Sequence, residues 1–254
     1  MKNNWLNNKT VIVTGASSGI GRGITLKLIR EYNCRVLGIA RSEEKMKSLT
    51  NELGPDSENF SYLLFDVSKR ENWKSFAEYI REKGIKPDIL INNAGILPEF
   101  KKAESCSCEE TERTMNINFY GAVYSMKELL PIILDSPSPA VVNIDSSAAL
   151  MPLAGTSVYS ASKAAQTNMV HSLSLQLAKD GITVNNVAPG VIYTDRNIEA
   201  LSDAEYAKKV TDSIPVGFYG KPEDCEGIVS LLCSEEGRYI TGQSIYVDGG
   251  KSVQ

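Results

Sequence analysis

The chain has 254 residues, 42% of them hydrophobic and 23% charged, with a formal net charge of −4. That composition belongs to a globular protein able to bury a large core, and its weakly acidic balance gives no electrostatic footprint for nucleic acid. Apolar runs such as "VIV" and "PDILI" are far shorter than the ~20 residues of a membrane span. The polar opening "MKNNWLNNKT" contains no apolar leader, so a cytoplasmic protein without a membrane partner is expected. Seven runs read as strands in chain order: 10–15, 35–40, 60–67, 88–95, 140–146, 182–190 and 243–250. They are rich in Val and Ile and mostly bounded by Gly, Asp or Asn. Their apolar character is continuous rather than alternating, as in parallel strands covered on both faces. Amphipathic stretches at 21–32, 72–84, 116–134 and 157–178 read as the helices between them. The alternation predicts an α/β fold: a Rossmann-like, doubly wound parallel sheet of seven strands with helices on both faces. No linker or repeat divides residues 1–254, so a single domain is expected, with "DSPSP" (135–139) a loop inside it.

Five cysteines at 34, 106, 108, 225 and 233 are odd in number and scattered, and read as reduced structural thiols. Cys106 and Cys108 precede Glu109 and Glu110, but one histidine in the whole chain leaves few further ligands, and no metal is expected.

After the first strand comes "TGASSGIG" (14–21), with glycines at 15, 19 and 21 leading into a helix. Glycines permit a tight turn and close approach to a pyrophosphate, which rests at the helix N-terminus where amide hydrogens and the dipole favour an anion. About 20 residues on, at the end of the second strand, an acid would accept from the 2′-hydroxyl of NAD. Ala40 cannot do so, whereas Arg41 suits the 2′-phosphate of NADP; the plainer reading of Arg41 is a solvated residue opening a polar helix. "YSASK" (159–163) sets a phenol and an ammonium four residues apart, on one face of a helix. That is either a surface pair or a phenol whose pKa the cation lowers toward useful proton transfer.

"TGASSGIG", "NNAG" (92–95), "YSASK" and "PGVIYT" (189–194) together resemble the short-chain dehydrogenase/reductase family, over nearly the full chain from about residue 8 to "VDGG" (247–250). The resemblance implies a catalytic set of Asn118, Ser146, Tyr159 and Lys163, with Ser146 placed 13 residues ahead of the tyrosine. Asn118 stands three residues before Gly121, and Asn116 is a nearby decoy. It implies a cofactor cradle of Gly15, Ser17, Ser18, Gly19, Ile20 and Gly21, with Arg41 and Ser42 at the ribose phosphate and Asp66 and Val67 at the adenine. Asn93, Ala94 and Gly95 would lie along the cofactor. Pro189, Gly190, Ile192 and Thr194 would hold the nicotinamide end, and Tyr159 and Lys163 its ribose. Asn118 is expected to support a water chain from Lys163 to solvent.

Three departures or bystanders stand out. Asp145 precedes the serine where the family usually has a small residue, and is expected to cap a turn rather than tune the site. Phe218 and Tyr219 stand where many relatives have an arginine, and His171, three helical turns from Tyr159, is expected to pack only. The resemblance implies an NADP-dependent oxidoreductase acting on a ketone or secondary alcohol, as a homo-oligomer with a tetramer favoured. Two other readings stand beside it: a 3-oxoacyl-[acyl-carrier-protein] reductase, and a catalytically silent dinucleotide-binding protein. Loops at 96–100, 147–155 and about 191–215 are expected to build the substrate pocket, and Leu150, Met151, Leu153, Ile192 and Tyr193 suit a lipophilic substrate such as a steroid.

Overall fold

Seven strands form one all-parallel sheet in a computed structural model that describes residues 5–195 and 197–254. They are β1 (Thr10–Thr14), β2 (Arg35–Ala40), β3 (Phe60–Leu64), β4 (Ile89–Asn92), β5 (Ala140–Ile144), β6 (Thr183–Pro189) and β7 (Ser244–Val247). Their order is β3-β2-β1-β4-β5-β6-β7. The helices are α1 (Gly19–Tyr32), α2 (Glu43–Leu53), α3 (Arg70–Glu82), α4 (Cys108–Met115), α5 (Gly121–Ile133) and α6 (Ser157–Leu177), then α7 (Ile198–Ser202), α8 (Ala204–Asp212) and α9 (Pro222–Leu232). This is the single-domain, doubly wound sheet expected from the alternation of runs. The start of the polar opening, residues 1–4, and Arg196 in the loop after β6 lie outside the described residues.

The strands read as unbroken apolar runs because both faces are covered. Within β1, Val11 and Val13 join the core with Ile24 and Leu28 of α1 and Val229 of α9. Ile12 between them joins the opposite core, with Trp73 and Phe76 of α3, Leu129 of α5 and Val170 of α6. The strand order reverses between β1 and β4, and crevices at such switch points, outside the carboxyl ends of the strands, are where ligands bind in open α/β sheets. "TGASSGIG" follows β1 and "NNAG" follows β4, so topology brings the two segments to one crevice.

Most strands are shorter than the runs read from the sequence, and two differences bear on the site. The third strand stops at Leu64 because Phe65 turns onto the edge of Trp73, with centroids 5.2 Å apart. Asp66 Oδ1 then accepts from the Ser68 N–H at 2.9 Å, starting a turn. The helix expected over 116–134 is a longer run, α4 and α5 joined by one π-helical turn at Asn116–Tyr120, where the Gly121 N–H reaches Asn116 O. Such one-turn π segments are often found at functional sites, and this one carries Asn118.

Candidate active site

The glycine turn is built by what it cannot accommodate. Gly15 and Gly19 have φ of +66° and +51°, a region in which side chains with a Cβ are strained. A Cβ on Gly21 would lie 2.3 Å from Asn93 Nδ2 and 2.4 Å from Gly15 O. The turn is braced from β4. The Thr14 hydroxyl accepts from the N–H groups of Asn93 (2.9 Å) and Ala94 (3.0 Å), while Asn93 Nδ2 donates to Thr14 O and Gly15 O. The Asn93 amide therefore shapes the turn itself. α1 begins at Gly19, two residues earlier than expected, so Gly19, Ile20 and Gly21 present its first N–H groups. Ser18 at its N-cap makes no side-chain cap bond, and no acidic residue occupies its first turn. That combination suits an anion.

The adenosine end is equally ordered. Ala40 ends β2 and is buried, whereas Arg41 is exposed beyond it. Ser42 caps α2, its hydroxyl accepting from the Lys45 N–H at 3.3 Å, so its own hydrogen remains to donate. Burial pushes the Asp66 carboxyl up, but hydrogen bonds from Ser68 and the charges of Arg41 and Lys69 outweigh it and hold that pKa below the ordinary value. Arg41 and Asp66 thus flank one place. Val67 is buried, its carbonyl accepting from Trp73 Nε1 at 2.9 Å and its side chain lying against Gly121.

At the opposite end, Gly190 N–H donates to Val247 O at 2.9 Å, and a Cβ on Gly190 would lie 2.7 Å from that of Asp248. Pro189, ending β6, pairs with Val247. Ile192 is buried and bridges to Gly220, and Thr194 lies 3.3 Å from where a Gly19 Cβ would be. Asn197 folds this loop, its Oδ1 accepting from Thr194 N–H and its Nδ2 donating to Ile192 O, both at 2.9 Å. The sequence reading did not single Asn197 out. Tyr219 stacks on Tyr193 at 5.7 Å and 20°, so the departure at 218–219 supports the loop after β6.

Between these ends, α6 is tied to the carboxyl end of β5. Lys163, only 4% exposed, donates from Nζ to Ile144 O at 2.8 Å and to Gln166 Oε1 at 3.0 Å. Ile144 ends β5 two residues before Ser146, and α6 also packs on the short turn Ser147–Ala149. The part of α6 that carries Lys163 is therefore tied to the carboxyl end of β5, close in the chain to Ser146. The Ser146 hydroxyl accepts from the Ala148 N–H at 3.2 Å and keeps its own hydrogen to give.

Asn118, 1% exposed, clamps the "NNAG" segment. Its Oδ1 accepts from the Ile96 N–H at 2.7 Å, and its Nδ2 donates to Ile96 O and to Ser162 Oγ. A Cβ on Gly95 would lie 3.3 Å from Asn118 Oδ1 and 3.9 Å from Lys163 Nζ, so Gly95 marks where the three meet. Gln166, missed in the sequence, was accessible from helical spacing alone, since residues three apart are neighbours.

The expectation that Asp145 caps a turn is wrong. Its N–H pairs with Val187 O at 2.7 Å as an extension of the sheet, and its carboxylate accepts from the Thr167 hydroxyl on α6. The cap at this corner is Ser146. His171 is exposed, with Nε2 3.4 Å from Ser244 Oγ on β7. Glu109 and Glu110 occupy the first turn of α4, and Glu110 pairs with Lys101 at 2.8 Å.

A parallel sheet with a glycine turn at its switch point, and a Tyr–Lys helix tied to the neighbouring strand, defines a dinucleotide-fold oxidoreductase. A family profile described as enoyl-(acyl carrier protein) reductase matches residues 15–252, and the chain belongs to the short-chain dehydrogenase/reductase family, whose members act on CH–OH and C=O groups. It is 34% identical over 245 residues to the 3-oxoacyl-[acyl-carrier-protein] reductase FabG of Rickettsia felis, covering 96% of this chain and 97% of that protein. The aldohexose dehydrogenase of Thermoplasma acidophilum superposes with a TM-score of 0.85 at 31% identity, over 99% and 96% of the two chains. A Beutenbergia cavernae protein assigned as an NAD(P)-dependent gluconate 5-dehydrogenase, with NADP bound at low occupancy, superposes with a TM-score of 0.90 at 29% identity over 98% of each chain. Among the described residues, no helix is long and apolar enough to cross a membrane.

Proposed function

We propose that this chain is an NADP(H)-dependent oxidoreductase interconverting a ketone and a secondary alcohol, with Tyr159 as its proton-transfer group. The observation that supports the reading is the tie of Lys163 Nζ to Ile144 O at 2.8 Å, two residues before Ser146 in the chain. The cofactor fit is supported by the glycine cradle, which leaves no room for a Cβ at Gly21, and by the acid-free first turn of α1. Ala40 followed by Arg41 favours the 2′-phosphate, and the Beutenbergia relative carries NADP.

When bound, the nicotinamide supplies or takes back hydride. The chain's part is to move a proton and steady charge. Tyr159 gives its phenolic proton to the substrate oxygen in reduction and recovers one in oxidation. Lys163, beside it on α6, favours the phenolate through its charge and holds the cofactor ribose. Ser146 donates its hydrogen to the substrate oxygen as negative charge develops there. Asn118 holds the Gly95–Ile96 segment against Ser162 and Lys163 and supports the path by which Lys163 is reprotonated.

The substrate reading is a lipophilic carbonyl, a steroid among the candidates. Leu150 and Leu153, on the loop after Ser146, are exposed, and Lys101 N–H pairs with Gly155 O at 3.1 Å, tying that loop to the one after β4. A second reading, a 3-oxoacyl thioester on acyl carrier protein, is favoured by the name of the Rickettsia relative. Assembly as a homo-oligomer, with a tetramer favoured over a dimer, through the long helices near 116–134 and 157–178 completes the proposal. An NADPH-consumption screen over ketosteroids, 3-oxoacyl thioesters, diketones and keto-sugars separates the substrate readings. Turnover of none of them would favour a silent binding protein. Tyr159→Phe should abolish turnover of the best substrate while cofactor affinity is nearly unchanged. Because a positioned acid–base group contributes about 10²–10⁴-fold, a variant retaining more than about a tenth of the rate would refute the role.

A further inference from the structure

Asp145 lies where β5 runs out beneath α6, at 4% exposure. Its Oδ2 accepts from the Thr167 hydroxyl, but its Oδ1 is buried without a well-formed hydrogen bond, the Ser146 backbone N–H being the group that lies near the carboxylate. Two other buried polar atoms on described residues are in the same condition, Asn143 Nδ2 and Asn186 Oδ1. They belong to the same corner. Asn143 and Asn186 are register partners on β5 and β6, and Asp145 follows Asn143 by two residues, which places it on the same face of the sheet. A buried carboxyl left half-paired is costly unless it has a task or neutralises.

The charges around it suggest the task. Tyr159, Lys163, Thr167 and His171 follow one another at intervals of four along α6 and so share one stripe of the helix. Asp145 is bonded to the third of these residues, and its neighbour Ile144 accepts from the second. The ionisable groups that act on Asp145 are Lys163 and His171 of α6, while Tyr246 of β7 feels Asp145 and Asp248 in turn. Burial pushes the Asp145 carboxyl above its ordinary pKa. The charge of Lys163, the bond from Thr167, the Ser146 backbone and His171 oppose that rise without cancelling it.

We propose that Asp145 is a positioning residue that sets the ionisation of the Tyr159–Lys163 pair through its charge. This rests on the proposed role of that pair. An ionised Asp145 cancels part of the pull of Lys163 on the phenol, so Tyr159 keeps its proton to higher pH. A protonated Asp145 leaves the lysine's pull unopposed. The corner thus biases the site toward a protonated phenol, the form that donates in reduction.

The test needs no substrate. The phenolate absorbance of Tyr159 is isolated by subtracting the alkaline titration of Tyr159→Phe from that of wild type, and is measured again in an Asp145→Asn background. The midpoint should fall by about one pH unit, the shift that one unit charge produces at roughly 12 Å with an effective dielectric near 20. Asp145→Ser, a smaller uncharged replacement, should move it the same way and keeps the test open if the asparagine variant folds poorly. Loss of a merely structural contact would change the melting temperature without moving this midpoint. A midpoint unchanged or raised in a folded variant overturns the proposal and leaves the proposed function standing. Wild-type turnover of a ketone by Tyr159→Phe would instead remove the reading beneath it.

Discussion

Replacing Gly21 by alanine tests the cofactor cradle through a clash whose size is fixed by the structure. The new Cβ would meet Asn93 Nδ2 at 2.3 Å and Gly15 O at 2.4 Å, so either the amide or the turn must move. Moving Asn93 breaks its bonds to Thr14 O (3.0 Å) and Gly15 O (3.2 Å), worth about 1 kcal/mol each. Forcing the turn adds roughly 1–3 kcal/mol of overpacking, and the better helix propensity of alanine returns about 1 kcal/mol. The net loss of about 2–4 kcal/mol should lower the melting temperature by about 5–15 °C in a chain of this size. Because the distorted turn is the proposed pyrophosphate seat, NADPH should also bind at least about tenfold more weakly, which requires only ~1.4 kcal/mol of the loss to fall on the complex. Thermal denaturation and a fluorescence titration with NADPH read the two effects. Gly227→Ala in α9, where a Cβ would meet nothing within 4 Å, is the control and should gain about 0.5–1 kcal/mol. A Gly21→Ala protein that melts within a degree of wild type and binds NADPH within twofold would refute the cradle.

Arg41→Ala should weaken NADPH by about 10- to 100-fold, the value of one charge-assisted hydrogen bond, while NADH affinity hardly changes; equal losses for both cofactors would mean that the arginine only stacks on adenine. Burial pushes the thiols of Cys34 and Cys225 up to about 12 and that of Cys233 higher still. Their thiolates are therefore scarce at pH 8, and native-state alkylation followed by mass spectrometry should label exposed Cys108 first and those three only after unfolding. Light scattering at micromolar concentration should give the mass of a tetramer, and a monomer there would refute the assembly proposal.

The sheet and its crevice were legible in the sequence because their cause is local and repeated. A parallel strand covered on both faces must be apolar at every position, and a turn that brings backbone against a phosphate must be glycine-rich. For the same reason the positions of Gly15, Gly21, Tyr159 and Lys163 could be read as spacings along one chain. What spacing could not supply is which distant groups meet. Asn93, read as a cofactor contact, braces the glycine turn from across the switch point. Asn118 clamps Ile96 through a π turn that no periodicity announced. Gln166 takes a hydrogen bond from Lys163. Asp145, taken from the sequence for a turn cap, is an extension of β5 whose carboxyl is shut beneath α6. A cap is decided by the next three residues, whereas the meaning of a buried carboxyl is decided by the charges packed around it, and only the tertiary structure brings Lys163, Thr167 and His171 to Asp145.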